Sequence, residues 1–108
     1  MTGISTHVLD ISLGKPAAGV GVRLADDSGG EWLGVTDAEG RCRDLLNATP
    51  LKSGNYRLIF AVAPYFEARQ IPTLYPEIAI TFQVRDPNQH HHIPLLVAPN
   101  GYTTYRGT

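Results

Sequence analysis

Apolar and polar residues alternate with a period of two over several short stretches of the chain. Val20, Val22 and Leu24 oppose Gly21 and Arg23. Leu58, Phe60 and Val62 oppose Arg57, Ile59 and Ala61, and Ile78, Ile80, Phe82 and Val84 oppose Ala79, Thr81 and Gln83. Successive side chains of an extended chain point to opposite faces, so this pattern predicts strands over Val20 to Leu24, Tyr56 to Val62 and Ile78 to Val84, each with one face in a core. Further strands are predicted over Ile4 to Asp10, Glu31 to Thr36, Leu45 to Leu46, His90 to Val97 and Thr103 to Arg106. Asp27-Ser28-Gly29-Gly30, Glu39-Gly40, Ser53-Gly54-Asn55 and Pro99-Asn100-Gly101 supply turns between segments. Pro64 to Gln70 breaks the alternation. Proline fits a first helical turn and helix formers follow it, which predicts one short helix ending before Pro72. About eight strands and one helical turn in a single domain spanning 1–108 point to an all-β fold, a two-sheet sandwich.

Composition narrows the function classes. The hydrophobic fraction is 43% and the charged fraction 18%, too apolar for a disordered chain. Lys plus Arg is 9 and Asp plus Glu is 10, and the basic residues are scattered. A net charge of -1 gives no electrostatic reason to expect nucleic acid or an anionic membrane as partner. Cys42 is the only cysteine, so no intrachain disulfide forms. No apolar run approaches the ~20 residues of a membrane span, and Met1-Thr2-Gly3-Ile4 does not begin a signal peptide. The expected location is the cytoplasm.

Candidate chemistry centres on the histidines, His7 and the run His90-His91-His92. If Ile93, Leu95 and Val97 point into the core, His91 shares their side while His90 and His92 point the other way. In the first strand Ile4, Thr6 and Val8 form one set and Ser5, His7 and Leu9 the other. His7 and His92 therefore converge if the two strands are neighbours in one sheet, and such a pair can supply a general base and a proton donor, since an imidazole titrates near ~6.5. A zinc site using His90 and His92 is a second reading, but no carboxylate or thiol stands nearby at ligand-like spacing. Arg41 follows the turn Thr36-Asp37-Ala38-Glu39-Gly40, where a guanidinium could grip a planar anion or stabilise an oxyanion. Arg43 offers the same chemistry. Cys42 between them reads as a small buried hydrophobe rather than a nucleophile.

Six strings in register resemble one family over essentially the whole chain. They are Ile4 to Asp10, Gly14 to Val20, Thr36 to Cys42, Tyr65-Phe66 with Tyr75 to Ile78, His90 to Leu96, and Gly101 to Thr108. Together they resemble the transthyretin-related 5-hydroxyisourate hydrolases. The resemblance implies a prealbumin-like sandwich of two four-stranded sheets with one short helix. It also implies a homotetramer, a dimer of dimers, with active sites in the channel where dimers meet. Leu96 and Tyr102, expected on the outer face, are compatible with such an interface.

By the same resemblance His7, Arg41 and His92 are catalytic, and the tail Tyr105, Arg106, Gly107 and Thr108 binds substrate. The implied reaction opens the pyrimidine ring of 5-hydroxyisourate to give 2-oxo-4-hydroxy-4-carboxy-5-ureidoimidazoline, with no metal or cofactor. His7 and His92 are both open as the base. Two residues depart from the family pattern. His91 stands for a tyrosine on the core side, where packing rather than catalysis should respond. Thr108 stands for a serine, keeping the hydroxyl and adding a methyl. The rival from another class is a non-catalytic ligand carrier of the transthyretin type, which has no need of this set of side chains.

Overall fold

A computed structural model describes residues 3–108. Its long strands are β1 (Ile4–Asp10), β3 (Gly21–Asp26), β4 (Glu31–Val35), β6 (Gly54–Ala61), β7 (Ile78–Val84), β8 (His91–Ala98) and β9 (Gly101–Thr104). Two-residue strands β2 (Lys15–Pro16) and β5 (Arg41–Cys42) and one helix, α1 (Val62–Glu67), complete the architecture.

Two sheets form the expected sandwich. One has the order β4-β3-β6-β7, antiparallel throughout. The other runs β2-β1-β8-β9, with β5 also pairing to β1. A single fourth strand is thus replaced by two short segments: β2 pairs with the Leu9 end of β1 and β5 with its Thr6–His7 part. The pairing of β1 with β8 is parallel. Parallel neighbours need a long crossover, and here nearly the whole domain folds between the two strands. The first and last parts of the chain therefore meet in mid-sheet.

The core lies where the predicted faces meet. Ile4, Val8, Ile93, Leu95 and Val97 from one sheet pack against Val22, Leu24, Leu58, Phe60, Ile78 and Val84 from the other. Each large apolar side chain removed from water stabilises the fold by about 1.5–3 kcal/mol. Two polar groups inside are fully partnered. Thr6 donates its hydroxyl to the Ile93 carbonyl at 2.6 Å. Asp10, fully buried, accepts from Ser12, from the Leu13 amide and from the Tyr65 hydroxyl at 2.7 Å, which ties α1 to the end of β1.

Three expectations need correction. Leu45 and Leu46 lie in a turn, not a strand; both are buried, so their apolar character reflects packing under the loop. The helix begins at Val62, two residues before the predicted start, and Pro64 falls in its first turn, where no amide hydrogen is needed. The last strand ends at Thr104, leaving Tyr105 and Arg106 outside it. No helix among the described residues is long and apolar enough to cross a membrane.

Candidate active site

The outer face of the β1–β8 sheet carries the predicted chemistry, and pairing register decides which residues meet. Paired residues on neighbouring strands point to the same face. The β1–β8 register sets Ser5 opposite His92 and His7 opposite Pro94. The β1–β5 register sets His7 opposite Arg41 and Thr6 opposite Cys42. Ser5, His7, Arg41 and His92 therefore share the outer face, while Thr6 and Cys42 point inward.

Arg41 is fixed by the turn before it. The Asp37 carboxylate accepts from the amides of Glu39 and Arg41, both at 2.9 Å, and the Gly40 amide donates to the Asp37 carbonyl. Gly40 has a φ of 77°, a left-handed conformation that favours glycine, and its carbonyl accepts from the Val8 amide at 2.7 Å. The loop is thereby locked onto β1. Arg43, the other candidate, forms a surface ion pair with Glu39 at 3.3 Å. The Cys42 thiol is pushed up by burial and by the nearby Asp37 charge, which suits an unreactive core side chain.

A cavity of about 250 Å³ opens on this face, and its lining includes Ser5, Arg41, Arg43, His90, His92 and Thr108. His92 is half-buried on one wall. Burial holds its imidazole below the ordinary range, and the charges of Arg41, His7 and His90 add to that, so the ring is neutral near pH 7. His7 stands beside Arg41 but does not line the cavity. Its Nε2 is 2.8 Å from the Glu39 carbonyl oxygen. A carbonyl only accepts, so Nε2 carries a hydrogen and Nδ1 is the free nitrogen of His7.

The tail divides. Gly107 bridges to His92, donating its amide to the His92 carbonyl at 2.8 Å, and Thr108 reaches the cavity. Tyr105 is exposed, and Arg106 turns to Gln89, donating to its side-chain oxygen at 3.2 Å. Neither residue lines the cavity.

Sequence reasoning left out Ser5 as a functional residue and weighed His90 only as a zinc ligand. The Ser5 hydroxyl lies 2.7 Å from His90 Nε2 and 2.8 Å from His92 Nδ1. The alternation of β1 put Ser5 on the outer face, but only the register shows that it sits between two imidazoles. His91 is buried on the core side, as its parity predicts, and donates from Nδ1 to the Gln89 carbonyl at 2.9 Å. Among the described residues no three His, Cys, Asp or Glu side chains are arranged to hold a metal ion. A neutral imidazole, a guanidinium and a hydroxyl around one cavity can activate water and stabilise an oxyanion.

The chain is similar to known proteins along essentially its whole length. A family model described as HIUase/Transthyretin family matches residues 4–107. The 5-hydroxyisourate hydrolase of Caulobacter vibrioides is 47% identical over an alignment of 116 residues that covers 100% of both chains. The structure of Klebsiella pneumoniae 5-hydroxyisourate hydrolase superposes with a TM-score of 0.90 at 37% identity, covering 99% of this chain and 100% of that one. Sea bream transthyretin, solved in complex with thyroxine, superposes with a TM-score of 0.86 at 26% identity, covering 97% of this chain and 94% of that one. By sequence and by fold, the chain belongs to the HIUase/Transthyretin family.

Proposed function

We propose that this protein hydrolyses 5-hydroxyisourate to 2-oxo-4-hydroxy-4-carboxy-5-ureidoimidazoline. The observation that carries the reading is the cavity in which Arg41, a neutral His92 and Thr108 converge, in a chain 47% identical to a 5-hydroxyisourate hydrolase along its full length.

The chemistry follows from the side chains. His92 takes a proton from water as the water oxygen bonds to the ring carbonyl next to nitrogen. Arg41 orients the planar substrate and stabilises the oxyanion, with Thr108 supplying a hydroxyl at the same centre. The carbon–nitrogen bond then breaks, and the leaving nitrogen takes a proton from Nδ1 of protonated His7, whose Nε2–H stays on the Glu39 carbonyl. Proton exchange with solvent resets both histidines, and the net change is the addition of one water. Tyr105, Arg106 and Gly107 serve substrate binding by holding Thr108 in place. Each step is a proton transfer or charge stabilisation by the chain's own residues, so the scheme needs no metal or cofactor.

The active form in this reading is a homotetramer in the cytoplasm, a dimer of dimers with the outer face of the β1–β8 sheet lining a shared channel. Exposed Ile11, Leu13 and Tyr102 support it, since large apolar side chains at the surface favour coverage. A thyroxine-type carrier, the alternative, is not favoured, because the curated relatives bear hydrolase names. The test follows the ultraviolet absorbance of freshly generated 5-hydroxyisourate. Micromolar protein should accelerate its decay over the spontaneous rate, and His92→Ala, with unchanged circular dichroism, should lose about 10²-fold or more of that activity. A wild-type protein that gives no acceleration overturns the assignment.

A further inference from the structure

His92 must present a lone pair to water if it is the base, and a neutral imidazole has two tautomers. One puts the hydrogen on Nδ1 and leaves Nε2 as acceptor; the other reverses this. Nδ1 of His92 is held 2.8 Å from the Ser5 hydroxyl, and Nε2 has no hydrogen-bond partner among the described residues. The tautomer of the catalytic ring is therefore set at Ser5.

Ser5 has one hydrogen to give and two imidazoles to serve, His92 at 2.8 Å and His90 Nε2 at 2.7 Å. It is buried, and β1 fixes its backbone directly beside His92. Its single hydrogen can go to only one ring, and when it does the other ring must donate to its oxygen, so the tautomers of His90 and His92 are coupled. Two features choose the direction. The Arg41 guanidinium shares the cavity with His92, and a cation there favours a lone pair over an N–H. On the far side, His90 Nδ1 and the Asp44 carboxylate both come within 4 Å of the point where a Cβ on Gly3 would stand. A carboxylate on that side favours hydrogen on His90 Nδ1, leaving His90 Nε2 to accept from Ser5.

We propose that Ser5 and His90 are positioning residues that hold His92 in its Nδ1–H tautomer, with the Nε2 lone pair turned to the water. The chain runs His92 Nδ1–H to Ser5 oxygen, and Ser5 O–H to His90 Nε2. When His92 takes a proton at Nε2, its Nδ1–H stays bonded to Ser5 and no further proton moves. His90 acts only through Ser5. Without it the Ser5 hydrogen is free to turn to His92 Nδ1, which selects the tautomer that cannot accept a proton from water. The inference rests on the hydrolase reading and adds to it the device that makes one histidine a base.

The experiment has an arm that does not depend on turnover. Long-range proton–nitrogen correlation spectra of the full-length protein, above the titration of His92, report which ring nitrogen is protonated. Wild type should show His92 protonated at Nδ1, and His90→Ala should move it toward the Nε2–H form. His92 in the Nε2–H form in wild type overturns the proposal, even if the protein is an active hydrolase. In the decay assay Ser5→Ala and His90→Ala should each lower kcat about tenfold or more with KM within about twofold, because the loss lies in proton transfer and not in binding. His90 is exposed, so its variants should fold. His90→Gln should recover much of the rate, since a carboxamide oxygen also accepts from Ser5.

The pH profile gives a further readout. The charged or titratable groups around His92 include Arg41, Arg43, His7, His90 and the terminal carboxylate of Thr108. Ser5→Ala leaves these in place and removes the acceptor for Nδ1–H, which stabilises the protonated ring, so the acid limb of kcat should move to lower pH. The double variant should lose no more than either single one. A His90→Ala variant with wild-type kcat and wild-type ring shifts overturns the relay whatever Ser5→Ala does. A wild-type protein with the Nδ1–H tautomer but no turnover counts against the hydrolase reading and leaves the relay standing.

Discussion

Gly107→Ala isolates the role of the tail with a single methyl group. Gly107 does not have a left-handed φ, so alanine suits its backbone and the whole cost is contact. A Cβ at this position would stand 2.5 Å from His92 Cδ2 and 3.3 Å from both His92 Cγ and Pro94 Cγ. Non-bonded carbons settle at about 3.5–4.0 Å, so the overlap is about 1 Å or more. The His92 ring is held by Ser5 at 2.8 Å and set in the middle of a sheet, whereas residues 105–108 are largely exposed. The tail is the softer side, and it gives way. It then loses the Gly107 amide bond to the His92 carbonyl, worth about 0.5–1.5 kcal/mol, and the melting temperature should fall by only a few degrees. Thr108 moves with it by about an ångström, and a misplacement of that size can cost about 10²-fold in rate. We expect kcat/KM for 5-hydroxyisourate decay to drop about 10- to 100-fold, or about 1.4–2.7 kcal/mol of transition-state stabilisation. Deleting residues 107 and 108 should give the same loss, and adding the deletion to Gly107→Ala should cost nothing further. A Gly107→Ala protein within about threefold of wild type would refute the reasoning, because it would show that the tail can leave His92 without consequence.

Two other outcomes follow from buried polar groups. Tyr65→Phe removes the hydrogen bond to Asp10 Oδ2, the one bond that oxygen receives among the described residues, and should cost about 1.5–3 kcal/mol in urea unfolding; an unchanged midpoint would contradict it. Burial raises the Asp10 carboxyl, but hydrogen bonds from Ser12, Tyr65 and the Leu13 amide outweigh it and the net direction is downward, so its stabilisation is present above pH ~3.8 and is lost as pH falls through the folded value. Tyr65→Phe should flatten that acid limb. For His92, burial and the cations around it disfavour the charged ring, so its proton resonances should titrate with a midpoint below pH 6.5. Arg41→Gln should move that midpoint upward, and a downward move would remove Arg41 from the account.

What the chain reveals before folding depends on the range of the interaction. The limits of β1 and β7 are readable because alternation is a property of adjacent residues, and the same parity correctly separates His91 from His92. It fails at Leu45-Leu46, where two buried leucines in a turn carry the same local signal as a short strand, and at Arg41–Cys42, a strand too short to alternate. The site is harder, because parity says which face a side chain takes and nothing about its neighbour. His7 and His92 occupy one face, as expected, yet the parallel register places Pro94 beside His7 and gives the position beside His92 to Ser5. That offset gives the two histidines different partners. His7 is tied through Nε2 to the loop that carries Arg41 and leaves Nδ1 free, while His92 is tied through Nδ1 to Ser5 and leaves Nε2 free. The pair is asymmetric because each ring is held by the opposite nitrogen, and the proposed hydrolysis uses that asymmetry: one imidazole accepts from water and the other, once protonated, donates to the leaving nitrogen.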